Sequence, residues 1–251
     1  MTAYRNALIT GASSGIGRAL AIRLAQAGTL RCVLIARRAE ALAEVAREVR
    51  AAGAEPITWA ADVADGDALV ARMRALDEEL GGLDLVVANA AVGAGPGADP
   101  IAWETLRDPF HVNVCGAVAT LTAVLPAMVA RKRGHLLGIG SISAYAALPG
   151  AAAYSAPKAA LAMLLDCLRL DVAHAGVAVT HARLGFVRTA MVAHSTHPMP
   201  QLMDPAVVAE KIVARLPKRP REIVLPRALA LLAKAAALAP EALRELALSK
   251  R

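Results

Sequence analysis

Residues 7–17 read Ala7-Leu8-Ile9-Thr10-Gly11-Ala12-Ser13-Ser14-Gly15-Ile16-Gly17, and a run rich in Ala, Leu and Arg follows. A short apolar run of this kind predicts a buried strand, and the run after it a helix. Gly11 permits a sharp turn between them. Gly15 and Gly17 let backbone approach a ligand and let the helix pack on the strand. The helix N-terminus offers free N–H groups and the positive end of its dipole, which suits a pyrophosphate. The spacing is GxxxGxG rather than the commoner GxGxxG. An ordinary tight loop also uses glycine. The place of this one, after the first strand and opening a helix, points to a dinucleotide site lined by Gly11, Ser13, Ser14, Gly15, Ile16 and Gly17.

Outward from this turn, β-type runs alternate with helical ones. Strands are expected at Ala7–Thr10, Arg31–Ala36, Pro56–Ala60, Leu83–Asn89, His135–Ser141, Val177–Leu184 and Ile223–Leu225. Helical runs include Ile16–Ala27, Glu40–Ala51 and Asp67–Leu80, with Gly28 and Gly53 at helix-ending positions. Several strands are apolar on both faces, as buried parallel strands are. The pattern predicts a Rossmann-type α/β fold: a doubly wound, mostly parallel seven-stranded sheet with helices on both faces. The chain has 251 residues and no repeats or linkers, so residues 1–251 are read as one domain.

Composition excludes several classes. No apolar run is read as reaching the ~20 residues that span a bilayer, and MTAYRNALITG lacks a secretory signal pattern. Cys32, Cys115 and Cys167 lie far apart in apolar contexts without a CxxC, which predicts reduced core thiols in a cytoplasmic protein and no metal site. Net charge is +7, of which +5 falls from Asp204 onward, where ten Lys/Arg face five Asp/Glu. A solvated surface is the expected reading of that tail; nucleic acid is not an expected partner.

The end of the second strand, Leu34-Ile35-Ala36-Arg37-Arg38, bears on cofactor choice. An acid here would hold the ribose 2′-OH of NAD. Arg37 and Arg38 instead suit a 2′-phosphate, so NADP (NADPH) is expected over NAD.

Tyr154 and Lys158 stand at i and i+4, on one side of a helix. A neighbouring cation lowers a phenol's pKa from about 10, which would make Tyr154 a general acid–base. Pro157 is tolerated if the helix begins just before Tyr154. Thirteen residues upstream, the fifth strand ends in Ser141, a hydroxyl able to donate to a carbonyl oxygen. Asn113 lies in an apolar helix and needs a water or a backbone group as partner.

Taken together, TGxxxGIG (Thr10–Gly17), Asn89-Ala90-Ala91, Asn113, Ser141 and YxxxK (Tyr154–Lys158) resemble the short-chain dehydrogenase/reductase family in order and spacing, over residues 5 to about 190. The resemblance implies an oxidoreductase acting on a carbonyl/alcohol couple. Tyr154 would pass the proton and Ser141 would polarise the carbonyl. Lys158 would tune Tyr154 and bond the nicotinamide ribose, and Asn113 would support a water relay to Lys158. It further implies that Asp62 and Val63 meet the adenine, that Asn89 braces the sheet, and that Val187 and Thr189 bind carboxamide and phosphates. Two positions depart from the family pattern. Ala91 stands where the family has Gly, and Leu184 where it has Pro, with Leu184 expected to add apolar wall near the nicotinamide.

The substrate side is expected to comprise Val92–Asp99, Ser143–Gly150 and a lid loop at 191–204. Met191, Met199 and Met203 in that loop suit an apolar or bulky substrate. Tyr145 is read with equal weight as pocket or packing, and His194 and His197 as a solvent-facing loop rather than a metal site. The helical tail, residues 226–251, is expected at an oligomer contact (homodimer or homotetramer, as the resemblance implies) or near the pocket, with membrane-surface contact second. Two other functions compete. One is a non-catalytic NADP-sensing protein, disfavoured by the complete Asn–Ser–Tyr–Lys set. The other is a reductase of carrier-tethered 3-ketoacyl groups docked on Arg131-Lys132-Arg133.

Overall fold

In the computed structural model, which describes residues 4–95, 98–145, 147, 149–193 and 198–238, the strands follow the expected pattern closely. They are β1 (Asn6–Thr10), β2 (Arg31–Ala36), β3 (Glu55–Ala60), β4 (Leu85–Ala88), β5 (Gly134–Ser141), β6 (Val177–Leu184) and β7 (Glu222–Leu225). All pair in parallel, in the order β3-β2-β1-β4-β5-β6-β7. Residues of β1, β2, β4 and β5 are buried throughout, or nearly so, because both sheet faces carry helices.

The helices are α1 (Gly15–Gln26), α2 (Ala39–Ala51), α3 (Gly66–Glu79), α4 (Trp103–Phe110), α5 (Ala117–Thr122), α6 (Leu125–Ala130), α7 (Ala152–Asp171), α8 (Pro205–Val213) and α9 (Arg227–Leu238). At Gly28, the expected end of α1, the N–H of Thr29 reaches the Leu24 carbonyl and that of Gly28 the Ala25 carbonyl. The same pair of bonds recurs at Gly53 after α2. One core packs α1, α2 and α8 on one sheet face; a second packs α3, α5 and α7 on the other.

The order in which successive strands are added reverses beside β1. Its neighbours are β2 on one side and β4 on the other, so the carboxyl ends of β1 and β4 open onto a crevice.

Three expectations change. The run Trp103–Ala130 is long and apolar enough to pass for a membrane span, but more than half of its most apolar 18-residue stretch is buried in the protein, as a core helix is. That run is also interrupted by a wider π-helical turn at His111–Gly116. Of the cysteines only Cys32 is buried; Cys115 and Cys167 are free and exposed, since that π turn and α7 each turn one side to solvent. Leu184 packs into the core with Val187 and Leu225 and is no wall of the crevice.

Candidate active site

The glycine turn is held in place by the strand beside it. The Thr10 hydroxyl donates to the Val87 carbonyl and accepts from the Asn89 and Ala90 N–H groups. Asn89 answers with its side-chain amide, which donates to the carbonyls of Thr10 at 2.9 Å and Gly11 at 3.2 Å. Asn89 therefore braces the turn, tying β4 to β1 across the point where strand order switches.

Gly11 has φ +65°, a conformation that suits glycine. At Gly17 a side chain would meet the Gly11 carbonyl and the Asn89 amide, so α1 enters as close as the chain allows. The Ser14 side chain makes no cap hydrogen bond to α1, whose first-turn N–H groups thus face the turn. This cradle fits an anionic dinucleotide. Ser13 accepts from Arg38 at 3.3 Å, at the end of β2. Arg37 lies 3.6 Å from Asp62, so these two expected contacts hold each other at the crevice rim. Val63 is buried against Gly116. Ile16 packs partly on the core, and Thr189 closes over Gly15. Beyond that contact an open groove of about 690 Å³ continues along α1, lined by Arg18, Ile22, Arg23 and Arg188.

Val187 bridges to Met203, and the pair is fastened by the bonds Arg188 N–H to Met203 O and Met203 N–H to Phe186 O. Met203 consequently packs on the core, not in the crevice. Met191 does approach the other bank, near Gly93. His194 and His197 lie outside the described residues. So do the tail positions from 239 onward and, within the expected crevice stretches, positions 96, 97, 146 and 148.

Ser141, Tyr154 and Lys158 come together where β5 ends. Ser141 is buried, and its Oγ accepts from the Ser143 backbone N–H at 3.1 Å and lies 2.9 Å from the Ser143 hydroxyl. Burial raises the Tyr154 pKa above the usual phenol value, and the neighbouring Ser141 side chain lowers it by less. That corrects the expectation of a Tyr154 pKa lowered by Lys158. The Lys158 ammonium stands 5.8 Å from the Tyr154 ring centroid and donates instead to the Ile139 carbonyl at 2.9 Å. Burial pulls Lys158 from 10.5 to about 8. The helix α7 starts two residues before Tyr154, so Pro157 falls in its second turn rather than its first.

Asn113 lies in the π turn, buried, rather than in a regular helix. Its amide oxygen accepts from the Val92 N–H and its amide nitrogen donates to the Val92 carbonyl, both at 2.8 Å. Its partner is backbone, and its side chain fixes the strand exit after β4 beside the crevice.

Position bears on two further expectations. Tyr145 is packed between Arg183 and Lys234. The Arg131-Lys132-Arg133 cluster precedes β5, at the opposite end of the sheet from Ser141. Arg131 pairs with the buried Asp77 at 2.7 Å and Arg133 with Asp84 at 3.1 Å, while Lys132 and Arg133 stay exposed. Sequence reading missed the Asp77–Arg131 pair and the clamp on Tyr145. Each joins elements far apart in the chain, with no local spacing to reveal it.

A profile described as short chain dehydrogenase matches residues 5–200. The chain belongs to the short-chain dehydrogenase family. This short-chain dehydrogenase is 45% identical over 242 residues to an uncharacterized oxidoreductase of Myxococcus xanthus, covering 96% of this chain and 94% of the relative. Among solved structures, a short-chain dehydrogenase from Sphingobium yanoikuyae in complex with NADPH matches with a TM-score of 0.81 at 25% identity, covering 98% of this chain and 96% of the other. One from Mycobacterium paratuberculosis bound to NAD matches with a TM-score of 0.76 at 26% identity, covering 88% of this chain and 95% of the other. The short-chain dehydrogenase is thus an oxidoreductase on a seven-stranded parallel scaffold.

Proposed function

We propose that the protein is an NADP-dependent oxidoreductase acting on a carbonyl/secondary-alcohol couple, with Tyr154 as general acid–base. The observation that carries this is the convergence of the Tyr154 and Ser141 hydroxyls beside the buried Lys158, at the same carboxyl end of the parallel sheet as the glycine turn. In the reducing direction a nicotinamide held there would supply a hydride for the carbonyl carbon. Ser141 donates a hydrogen bond to the substrate oxygen, and Tyr154 gives that oxygen its proton; oxidation reverses both. Lys158 keeps a cation beside the phenol, and Asn113 holds the crevice edge through Val92.

Gly11, Ser13, Ser14, Gly15, Ile16 and Gly17 would hold the pyrophosphate, with Asp62, Val63, Asn89, Val187 and Thr189 around the remainder. The preference for NADP over NAD rests on Arg38 at Ser13, with Arg37 alongside. The relative structures bind NADPH in one case and NAD in another, so this choice is carried by the two arginines. Met191 on the crevice bank favours an apolar or bulky substrate. Exposed Trp103, Phe110, Met163 and Leu170 on α4 and α7 support a homodimer or homotetramer. The free thiols of Cys115 and Cys167 fit the reducing cytoplasm.

The test is nicotinamide consumption against a set of apolar ketones, aldehydes and 3-ketoacyl esters. Turnover with NADPH is expected to exceed that with NADH, to lose this preference in the Arg37→Ala/Arg38→Ala double variant, and to vanish in Tyr154→Phe. Equal rates in wild type and Tyr154→Phe would overturn the assignment.

A further inference from the structure

Tyr145 ends the short turn that begins at Ser141, and its N–H closes that turn on the Ile142 carbonyl at 3.1 Å. Its ring is held between two cations. The Arg183 guanidinium carbon stands 4.8 Å from the ring centroid and Lys234 Nζ stands 5.0 Å from it. Arg183 is buried on β6 and donates to Glu222 on β7 at 2.8 Å, so the sheet fixes one side of the clamp. Lys234 comes from α9 and brings the other side. The Tyr145 hydroxyl is buried without a hydrogen-bond partner among the described residues, so the ring faces carry the contact.

A second contact joins the same elements. Gly185 has no side chain, and three neighbours close on that space. A Cβ there would lie 2.9 Å from Pro226 Cδ, 3.3 Å from Leu229 Cδ2 and 3.5 Å from Ile142 Cδ1. Ile142 is the residue after Ser141. The C-terminal helix therefore reaches the Ser141 turn at both ends, through Leu229 near Ile142 and through Lys234 on Tyr145.

We propose that α9 is a wall of the active-site crevice, and that Tyr145 and Lys234 are positioning residues that hold the turn carrying Ser141. This rests on the reading of Ser141 as the group that polarises the substrate oxygen. A cation over an aromatic face is attracted by the ring quadrupole, which Phe shares with Tyr and Leu lacks, and Arg serves as well as Lys. Lys234 is exposed, and an exposed contact of this kind corresponds to about a two- to fivefold effect.

The experiment compares full-length wild type with Lys234→Ala, Lys234→Arg, Tyr145→Phe and Tyr145→Leu. It reads kcat and KM on the best ketone, the NADPH Kd by fluorescence, and amide hydrogen exchange at Ser143 and Tyr145. Lys234→Ala is expected to lower kcat about two- to fivefold, and Tyr145→Leu by more, since it loses both cations. NADPH Kd should stay within about twofold, while exchange at the two amides quickens by a similar factor to the loss in kcat. Lys234→Arg and Tyr145→Phe should match wild type. Unchanged kcat and exchange in Lys234→Ala would overturn the proposal. So would a Tyr145→Phe loss as large as that of Tyr145→Leu, or a fall in NADPH affinity and thermal midpoint in step with kcat. If wild type turns over no carbonyl, the functional reading fails on its own, and the exchange rates still decide whether α9 holds the turn.

Discussion

Replacing Lys158 by Met separates the cost of this buried ammonium from its use. Lys158 is 5% exposed, and burial lowers its pKa from 10.5 to about 8. Below pH 8 the lysine is charged in both folded and unfolded chains, and the folded state carries the full penalty of burying it. Between pH 8 and 10.5 the folded lysine gives up its proton while the unfolded one keeps it. The unfolded state then binds more protons, so stability rises with pH. Each pH unit in that window adds about 1.4 kcal/mol. From about pH 7 to about pH 9.5 the wild type should therefore gain about 2 kcal/mol from this residue alone. Lys158→Met has nearly the same volume and no titration, so it should lack that gain. The assay is urea unfolding of both proteins across this range, taking the difference of their stabilities at each pH to cancel the other titrating groups. The difference should shift toward wild type by about 2 kcal/mol as pH rises. The variant should also lose turnover. A difference that stays flat with pH would refute the burial argument, whatever the activity shows.

Gly17→Ala should lower stability by about 1–3 kcal/mol and weaken NADPH binding, because the new methyl meets the Gly11 carbonyl and the Asn89 amide rather than a flexible side chain; urea unfolding and a fluorescence titration read both effects. Asn113→Ala leaves the Val92 N–H and carbonyl without their 2.8 Å partners and should cost about 1–3 kcal/mol, with Asn113→Asp recovering only the N–H contact. His181 is buried, and burial holds it neutral with a pKa of about 3, so the unfolded chain takes its proton first as pH falls below 6.5. Stability due to His181 is full above that pH and should drop by about 1.4 kcal/mol per unit below it, which a His181→Phe variant would not show in the same titration.

The strand–helix alternation and the glycine turn were legible because each is a local pattern. Apolar runs of strand length, helical runs between them and glycines at helix ends depend on residues adjacent in the chain, and all seven strands stand where those runs predict. The Tyr154–Lys158 spacing is equally local, since one helical turn brings both to one side. The direction of the Tyr154 pKa was not legible. It depends on how deeply the phenol and the ammonium are buried, and on the Ile139 carbonyl that Lys158 reaches across from β5.

The same division runs through the rest of the molecule. Sequence alone determined that the chain forms a doubly wound parallel sheet with a dinucleotide cradle, and which side chains are proposed for the chemistry. Only the tertiary structure decided what those side chains hold. It turned Asn113 onto Val92, drew Arg131 to Asp77 at the far end of the sheet, and folded α9 back until Lys234 met Tyr145. Periodicity and motif spacing are properties of neighbours along the chain. Partners 21, 54 and 89 residues apart are brought together by the packing of the two cores, which no short window of sequence contains.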